Sequence, residues 1–436
     1  MKNHNQAFYI SGGIPLEGEI HVHSAKNATL PLILASLLTD EAVMIEKAPK
    51  LSDVYALCSL LEHFGAKSEW QDDELLLHAE SIHNHHAPYH LVSKLRASFV
   101  AMGALLGRCG EARISMPGGC AFGPRPVDRH IKAFRQLGVE ISEDGGDFLA
   151  RIHGPLKGHV VFEAPTVGGT QNIILASVLG EGNEVLIEHA ALEPEIIDLA
   201  DMLNAMGADI SGAGTSQIHI KGVKRLKGIR YRPIADRIEA GTLMLMTAAT
   251  RGRVWLRDVK IEHLSAIISK LRESGVIIQE DLASRSLNLD ARGDLKAVSI
   301  TAVEYPGLAT DVQAPFGAYL ATVEGVSVVT DKVYPDRFTH VDELSRAGAQ
   351  MKLYERTLVI RGTKLHGAEM HASDIRAGGA LVTAALAAQG NSLISGVEYI
   401  ARGYEALPER LRALGAVISQ ESLDYQPNLA TGTFGG

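Results

Sequence analysis

Cysteine is scarce in this chain of 436 residues, which holds only Cys58, Cys109 and Cys120. Three thiols cannot staple a chain of this length, so a disulfide framework is excluded and a reducing, cytoplasmic compartment is expected. Long hydrophobic runs are missing as well. No stretch reaches the ~18 uncharged apolar residues of a membrane-spanning helix, and the N-terminus lacks the basic region and apolar core of a signal peptide. A basic excess is absent too: the net charge of -9 argues against a nucleic-acid partner. Aromatics make up only 5% while glycine numbers 43, so small residues must do much of the close packing. What is present is ordinary for a globular protein, 46% hydrophobic and 21% charged, and the length implies two domains of about 200 residues each. Residues 425–436, rich in Gly, Thr and Asn, read as a loose tail.

The strongest organisational signal is an internal repeat. Six segments share one pattern, a helix-like stretch ending in Gly and a small or branched apolar residue, then a strand-like run: LEHFGAKSEW, FRQLGVEISE, LNAMGADISG, LRESGVIIQE, LSRAGAQMKL and LRALGAVISQ. Their glycines, Gly65, Gly138, Gly207, Gly275, Gly348 and Gly415, recur every 67 to 73 residues. Each is placed as the left-handed residue that ends a helix. The preceding segment is amphipathic, as in Val54, Leu57, Leu61 and Phe64. Between these marks lies a second helix of another kind, at 30–38, 99–106, 173–179, 243–249, 315–321 and 380–388, apolar nearly all round and therefore buried. The sixth unit lacks its second hairpin strand, and residues 9–24 carry the same pattern, so the N-terminal strand completes it. This predicts one domain of three units over 25–232 and a second over 1–24 plus 233–424, with the cleft between them as the natural site.

The buried helices begin SAKNATLP, VSKLRASF, TVGGTQNI, ADRIEAGT, ATDVQAPF and ASDIRAGG. Ser24, Thr166, Asp236, Thr310 or Asp311, and Ser373 are expected N-caps. Lys26, Lys94, Arg96, Arg237 and Arg376 occupy equivalent places in their units. Capping and surface ion pairing is the plain account of such residues. Repeated cations at helix N-termini, which carry partial positive charge and free N–H groups, favour anion binding instead.

The segment MPGGCAFGPRPVDRH, residues 116–130, crowds Gly and Pro around one Cys and two Arg. That density precludes regular structure and predicts an irregular exposed loop. A thiol beside cations ionises more readily, and Arg125 and Arg129 are close to Cys120 in sequence. Cys58 and Cys109, on helical runs, read as small buried hydrophobes.

This loop resembles the catalytic loop of the UDP-N-acetylglucosamine 1-carboxyvinyltransferases, a group within the enolpyruvyl transferase family. SAKNA, LRAS, TDVQA, DRF, DIRA and RGYE are similar to further family motifs in the same order, so the resemblance covers essentially the whole chain. It implies an α/β (α+β) fold, a two-domain inside-out α/β barrel of six repeated units with buried helices. It also implies transfer of the enolpyruvyl group of phosphoenolpyruvate to the 3-hydroxyl of UDP-N-acetylglucosamine through a tetrahedral intermediate, with release of phosphate. Cys120, Asp311, Lys26, Arg402 and Asp374 are then catalytic, with Asp311 the base and Cys120 the proton donor. Lys26, Arg96, Arg125, Arg337, Arg376 and Arg402 hold phosphoenolpyruvate. Asn27, Arg96, Arg125, Pro126, Val127, Asp128, Thr166, Val167, Gly168, Asp311 and Val333 contact the nucleotide sugar. A substrate with three negative charges needs several Arg and Lys, which agrees. One departure stands out: relatives often carry a lysine just before the Thr-Val-Gly helix start, where this chain has Ala164 and Pro165.

No metal or organic cofactor is indicated. His83, His85, His86 and His90 stand in a Pro-containing connection without Cys and read as a solvated loop. His21 and His23 alternate along a strand, and Gly168-Gly169 lacks the residues of a nucleotide fingerprint. Two rival functions share the resemblance: the sister transfer to shikimate 3-phosphate, and a non-catalytic nucleotide-sugar sensor.

Overall fold

The computed structural model describes residues 6–93, 95–116 and 127–423, with Arg96 described by its backbone alone. The chain divides into two compact units, one Ser24–Ile234 and the other Met1–His23 with Ala235–Gly436.

Ser24–Ile234 contains three four-stranded sheets. In the first, Val43–Ile45 pairs parallel with Ile229–Tyr231 and antiparallel with Glu74–His78, which pairs with Lys67–Gln71. The second repeats this with His86–Ala87, Glu111–Ser115, Asp147–Arg151 and Glu140–Asp144. The third uses Lys157–Val161, Glu184–Glu188, Gln217–Lys221 and Asp209–Ser211. The parallel strand of each sheet comes from the preceding repeat, and Ile229–Tyr231, after the third, returns to the first. The three sheets are therefore linked in a ring.

The other unit is built the same way. Its sheets are Glu17–His21, Arg253–Arg257, Ser286–Asp290, Ile277–Asp281; then Ile300–Ala302, Val326–Asp331, Thr357–Arg361, Gln350–Tyr354; then Glu369–His371, Asn391–Ser395, Gln6–Ser11, Val417–Ser422. In the last sheet Gln6–Ser11 pairs antiparallel with both Asn391–Ser395 and Val417–Ser422. The N-terminal strand thus fills the place that the end of the chain leaves open.

The sequence forms these elements for legible reasons. All six marker glycines have positive φ, from 75° at Gly138 to 113° at Gly65. At the end of Ser265–Glu273 the Val276 N–H reaches Leu271 C=O (3.0 Å) and the Gly275 N–H reaches Arg272 C=O (3.0 Å), the double bond that closes a helix on a left-handed glycine. The inner helices are Lys26–Ala35, Ala101–Cys109, Val167–Ser177, Arg237–Ala249, Gln313–Leu320 and Ile375–Ala387, and nearly every residue in them is buried. The last three pack against one another, and Ala101–Cys109 packs along Val167–Ser177. There Gly103 and Gly107 bring the helices into backbone contact, since a Cβ at Gly103 would lie 2.2 Å from Asn172 O and one at Gly107 2.5 Å from Leu175 O.

Two expectations need correction. Thr166 and Asp236 are N-caps, but Lys26–Ala35 begins after Ala25 without a side-chain cap, and Ile375–Ala387 is capped by Asp374, not Ser373. Thr310 and Asp311 lie in a 3₁₀ turn, Thr310–Val312, that leads into Gln313–Leu320, so their side chains are released from capping for other work. The histidine-rich connection is a solvated loop only in part: residues 81–85 form no regular element and His83 and His90 are exposed, but His86 belongs to a short strand, and His85 and His86 lie 3.0 Å from Glu111 and 3.2 Å from Asp147.

Candidate active site

Asp311 lies at the centre of a cluster of charged side chains in its unit. Its Oδ1 accepts from Arg337 Nη1 at 2.7 Å and its Oδ2 from Arg376 Nη2 at 3.2 Å. The two guanidiniums are 12% and 6% exposed and the carboxylate 23%, so the carboxylate is the more accessible partner. Burial works against charge on Arg376, but Asp311, Tyr404 and Asp236 outweigh it and move its pKa up. Each arginine also lies near an aromatic ring, Arg337 at 5.6 Å from Tyr334 and Arg376 at 5.9 Å from Tyr404.

Neighbouring side chains hold this cluster in place. Thr310 Oγ1 donates to Asp331 Oδ2 (2.6 Å) and accepts from Arg337 Nη1 (3.2 Å). Asp331 Oδ1 accepts from the Val333 and Tyr334 N–H groups at 2.9 and 2.8 Å, which fixes the turn bearing Val333. Burial pushes the Asp331 carboxyl up, against those hydrogen bonds. Asp374 Oδ1 accepts the Arg376 and Ala377 N–H groups (2.8 and 3.0 Å), while its Oδ2 accepts from Thr339 Oγ1 (2.9 Å). Arg402 follows the helical turn Val397–Ile400, and a Cβ at the next residue, Gly403, would lie 3.6 Å from Arg376 Nη1. The fold thus gathers Asp311, Val333, Arg337, Asp374, Arg376 and Arg402 from four separate segments.

In the other unit Lys26 opens its helix and donates from Nζ to Asp53 Oδ2 at 3.2 Å, with both side chains buried. Asn27 is half-buried beside it. Val127 and Asp128 start the helix Asp128–Gln136. Thr166 Oγ1 accepts from Gly169 N–H (3.3 Å), leaving Val167 and Gly168 in the first turn of the next helix. Arg96 opens the 3₁₀ helix Arg96–Val100. Cys120, Arg125 and Pro126 lie outside the described residues, as does Lys94. Among the described residues, no group of three or more His, Cys, Asp or Glu is arranged to hold a metal ion.

Sequence reasoning missed the partners: Asp53 under Lys26, Thr310 and Asp331 behind Arg337, Thr339 behind Asp374, and Tyr404 by Arg376. None stands out in sequence, because each becomes specific only through a contact between distant segments. In chemical terms the cluster offers a reachable carboxylate between two guanidiniums, and those guanidiniums can exchange the carboxylate for the oxygens of an anionic ligand.

The chain was compared with known proteins. It is 52% identical to a UDP-N-acetylglucosamine 1-carboxyvinyltransferase of Deinococcus deserti over 95% of this chain and 97% of the relative. It is 50% identical to one of Thermus thermophilus, over 94% and 96%. The fold matches the crystal structure of the enolpyruvyl transferase NikO from Streptomyces tendae with a TM-score of 0.86 at 22% identity, covering 96% of this chain and 99% of that one. It also matches EPSP synthase from Acinetobacter baumannii, with a TM-score of 0.74 at 21% identity over 96% and 100%. The family model for EPSP synthase (3-phosphoshikimate 1-carboxyvinyltransferase) matches residues 10–411. With that match and relatives half identical along nearly their whole length, the chain belongs to the enolpyruvyl transferase family.

Proposed function

We propose that the protein is a transferase that moves the enolpyruvyl group of phosphoenolpyruvate onto the 3-hydroxyl of UDP-N-acetylglucosamine and releases phosphate, the first committed step of peptidoglycan synthesis, in the cytoplasm. The observation that carries this reading is the 52% identity, along nearly the full length, to relatives that bear the name of that activity.

The geometry supports a division of labour. In the free protein the Asp311 carboxylate is engaged by Arg337 and Arg376. Phosphoenolpyruvate brings phosphate and carboxylate oxygens that compete for those guanidiniums, with Lys26, Arg96, Arg125 and Arg402 completing its binding. Asp311 then serves as base: the sugar 3-hydroxyl oxygen bonds to C2 of phosphoenolpyruvate as its proton passes to Asp311, and C3 gains a proton from Cys120. The resulting tetrahedral intermediate carries both ether and phosphate on C2. Loss of phosphate from C2 and of a proton from C3 regenerates the double bond; the departing phosphate takes the proton held by Asp311 and the C3 proton returns to the Cys120 thiolate, so both side chains are restored. Asp374, which caps the helix bearing Arg376, sets the direction of that guanidinium. Asn27, Val127, Asp128, Val333 and the Thr166–Val167–Gly168 turn supply the nucleotide-sugar contacts. With Ala164 and Pro165 before that turn, backbone N–H groups and Arg125 carry the diphosphate.

The test is phosphate release from phosphoenolpyruvate with each acceptor in turn. Release that requires UDP-N-acetylglucosamine is expected. Release with shikimate 3-phosphate alone, or none with either, would replace this reading by the sister reaction or by a sensor.

A further inference from the structure

Asn172 is fully buried on the helix Val167–Ser177 and uses its whole side-chain amide. Its Oδ1 accepts from Gly103 N–H at 2.7 Å. That bond fixes the orientation of the amide, so Nδ2 is the donor to both Phe99 C=O (3.2 Å) and His130 Nδ1 (2.7 Å). An imidazole nitrogen that accepts carries no proton, which leaves the ring proton of His130 on Nε2. Two further contacts hold the ring. The Phe99 ring meets it edge-on, with centroids 5.2 Å apart and planes at 89°. Gly168 lies against it, where an added Cβ would come 3.0 Å from His130 Cε1 and 3.4 Å from Nε2.

The three segments tied by this amide come from two successive repeats: Arg96–Val100 and the start of Asp128–Gln136 from one, and the first turn of Val167–Ser177 from the next. They are also the segments bearing Arg96, Val127, Asp128, Thr166, Val167 and Gly168. We propose that Asn172 is a positioning residue for the nucleotide sugar: by holding His130 as its Nε2–H tautomer against Gly168, it sets the register of these three stretches. This rests on the reading of the reaction given above, and it assigns a role to a residue that touches no substrate. An amide is required, since a hydroxyl or carboxylate at this depth cannot accept from Gly103 while donating to two acceptors.

Two substitutions separate packing from positioning. Asn172→Asp keeps an acceptor for Gly103 but loses the amide donor toward His130, whereas Asn172→Leu loses both. Initial rates with each substrate varied should show KM for UDP-N-acetylglucosamine raised about tenfold in both variants, with kcat changed by less than about threefold and KM for phosphoenolpyruvate raised clearly less than that for the nucleotide sugar, since Arg96 serves both substrates. A wild-type KM for the nucleotide sugar in Asn172→Asp would reduce Asn172 to a packing residue and overturn the proposal. So would equal damage to all three constants. Should Asn172→Asp not fold, Phe99→Leu, which removes the edge contacts of that ring with His130 and Phe148 but keeps the Phe99 carbonyl, carries the same comparison. An independent check uses the unmodified protein: long-range ¹H–¹⁵N spectra should show His130 protonated at Nε2, and an Nδ1–H pattern would refute the proposal even with activity intact. Wild-type protein that releases no phosphate with the nucleotide sugar would instead refute the reaction, leaving the tautomer result standing.

Discussion

At the scale of single residues, Asp311 faces competing demands. As the proposed base it must be free to take a proton, yet two guanidiniums engage both of its oxygens. In the proposed reaction substrate anions resolve this by drawing the arginines away, so base strength and substrate binding would be linked through the same three side chains. Asp311→Asn should therefore lower kcat by roughly 10²–10⁴-fold, the usual worth of a positioned base, when followed by phosphate release. Arg337→Lys should act mainly on KM for phosphoenolpyruvate, because Arg337 serves Thr310 and Asp311 through Nη1 alone, and an ammonium lacks the planar, several-donor guanidinium that can grip phosphate or carboxylate oxygens beside them. Cys120→Asp, which keeps an acid, should retain turnover that Cys120→Ala loses; equal loss in both would remove the thiol from proton transfer.

His340 supplies the residue-scale pH dependence. It is buried beside Gly317, and burial, reinforced by Arg337 and opposed by Asp374, brings its pKa from an ordinary 6.5 down to about 4. The folded protein thus resists a proton that the unfolded chain accepts. This contribution is complete above pH 6.5 and drains away as pH falls through about 4. Denaturation midpoints should fall across that window, and His340→Gln should flatten the fall by at most about 3 kcal/mol. An unchanged slope in the variant would place the acid sensitivity elsewhere; Glu239, which His23 and Arg410 hold down to about 2 against the opposing effect of its burial, adds its own loss only below about pH 4.5.

At the scale of elements, the sequence was most informative where one physical cause acts locally. The helix-ending glycines and the uniformly apolar inner helices follow from backbone sterics and from burial on all sides, and both are written in contiguous residues. Caps were less legible: Ser24 and Ser373 are good capping residues, but the chain enters those helices one or two positions later, and tertiary packing decides the entry. Asp374 is the informative case, because the same carboxylate caps a helix and accepts from Thr339, so its sequence signature of a cap conceals a tie to the segment bearing Arg337. Asp374→Ala should cost about 1–2 kcal/mol in thermal or denaturant unfolding, the worth of a lost cap with a buried bond. It should also weaken phosphoenolpyruvate binding through Arg376, whereas a stability loss with unchanged KM would confine Asp374 to capping.

At the scale of the molecule, the lending of a strand from each repeat to the next makes every sheet depend on two repeats, and the ring closure leaves none of the three self-sufficient. The unit Ser24–Ile234 is contiguous, so all its strands leave the ribosome in one stretch. The other unit is not. Gln6–Ser11 is synthesised long before the strands that flank it, Asn391–Ser395 and Val417–Ser422, and Tyr9 Oη donates to a carbonyl at Ser422 (3.3 Å). At ordinary rates of translation this strand waits roughly tens of seconds for its neighbours. Nascent chains stalled near residue 270 should therefore protect Ser24–Ile234 from protease while the first residues remain cleavable, and protection of the N-terminal strand should appear only on release of the finished chain. The lone early strand is a timing problem as much as a structural one: until Asn391–Ser395 and Val417–Ser422 are made it is a β-edge with no sheet, held in reserve for partners far along the chain.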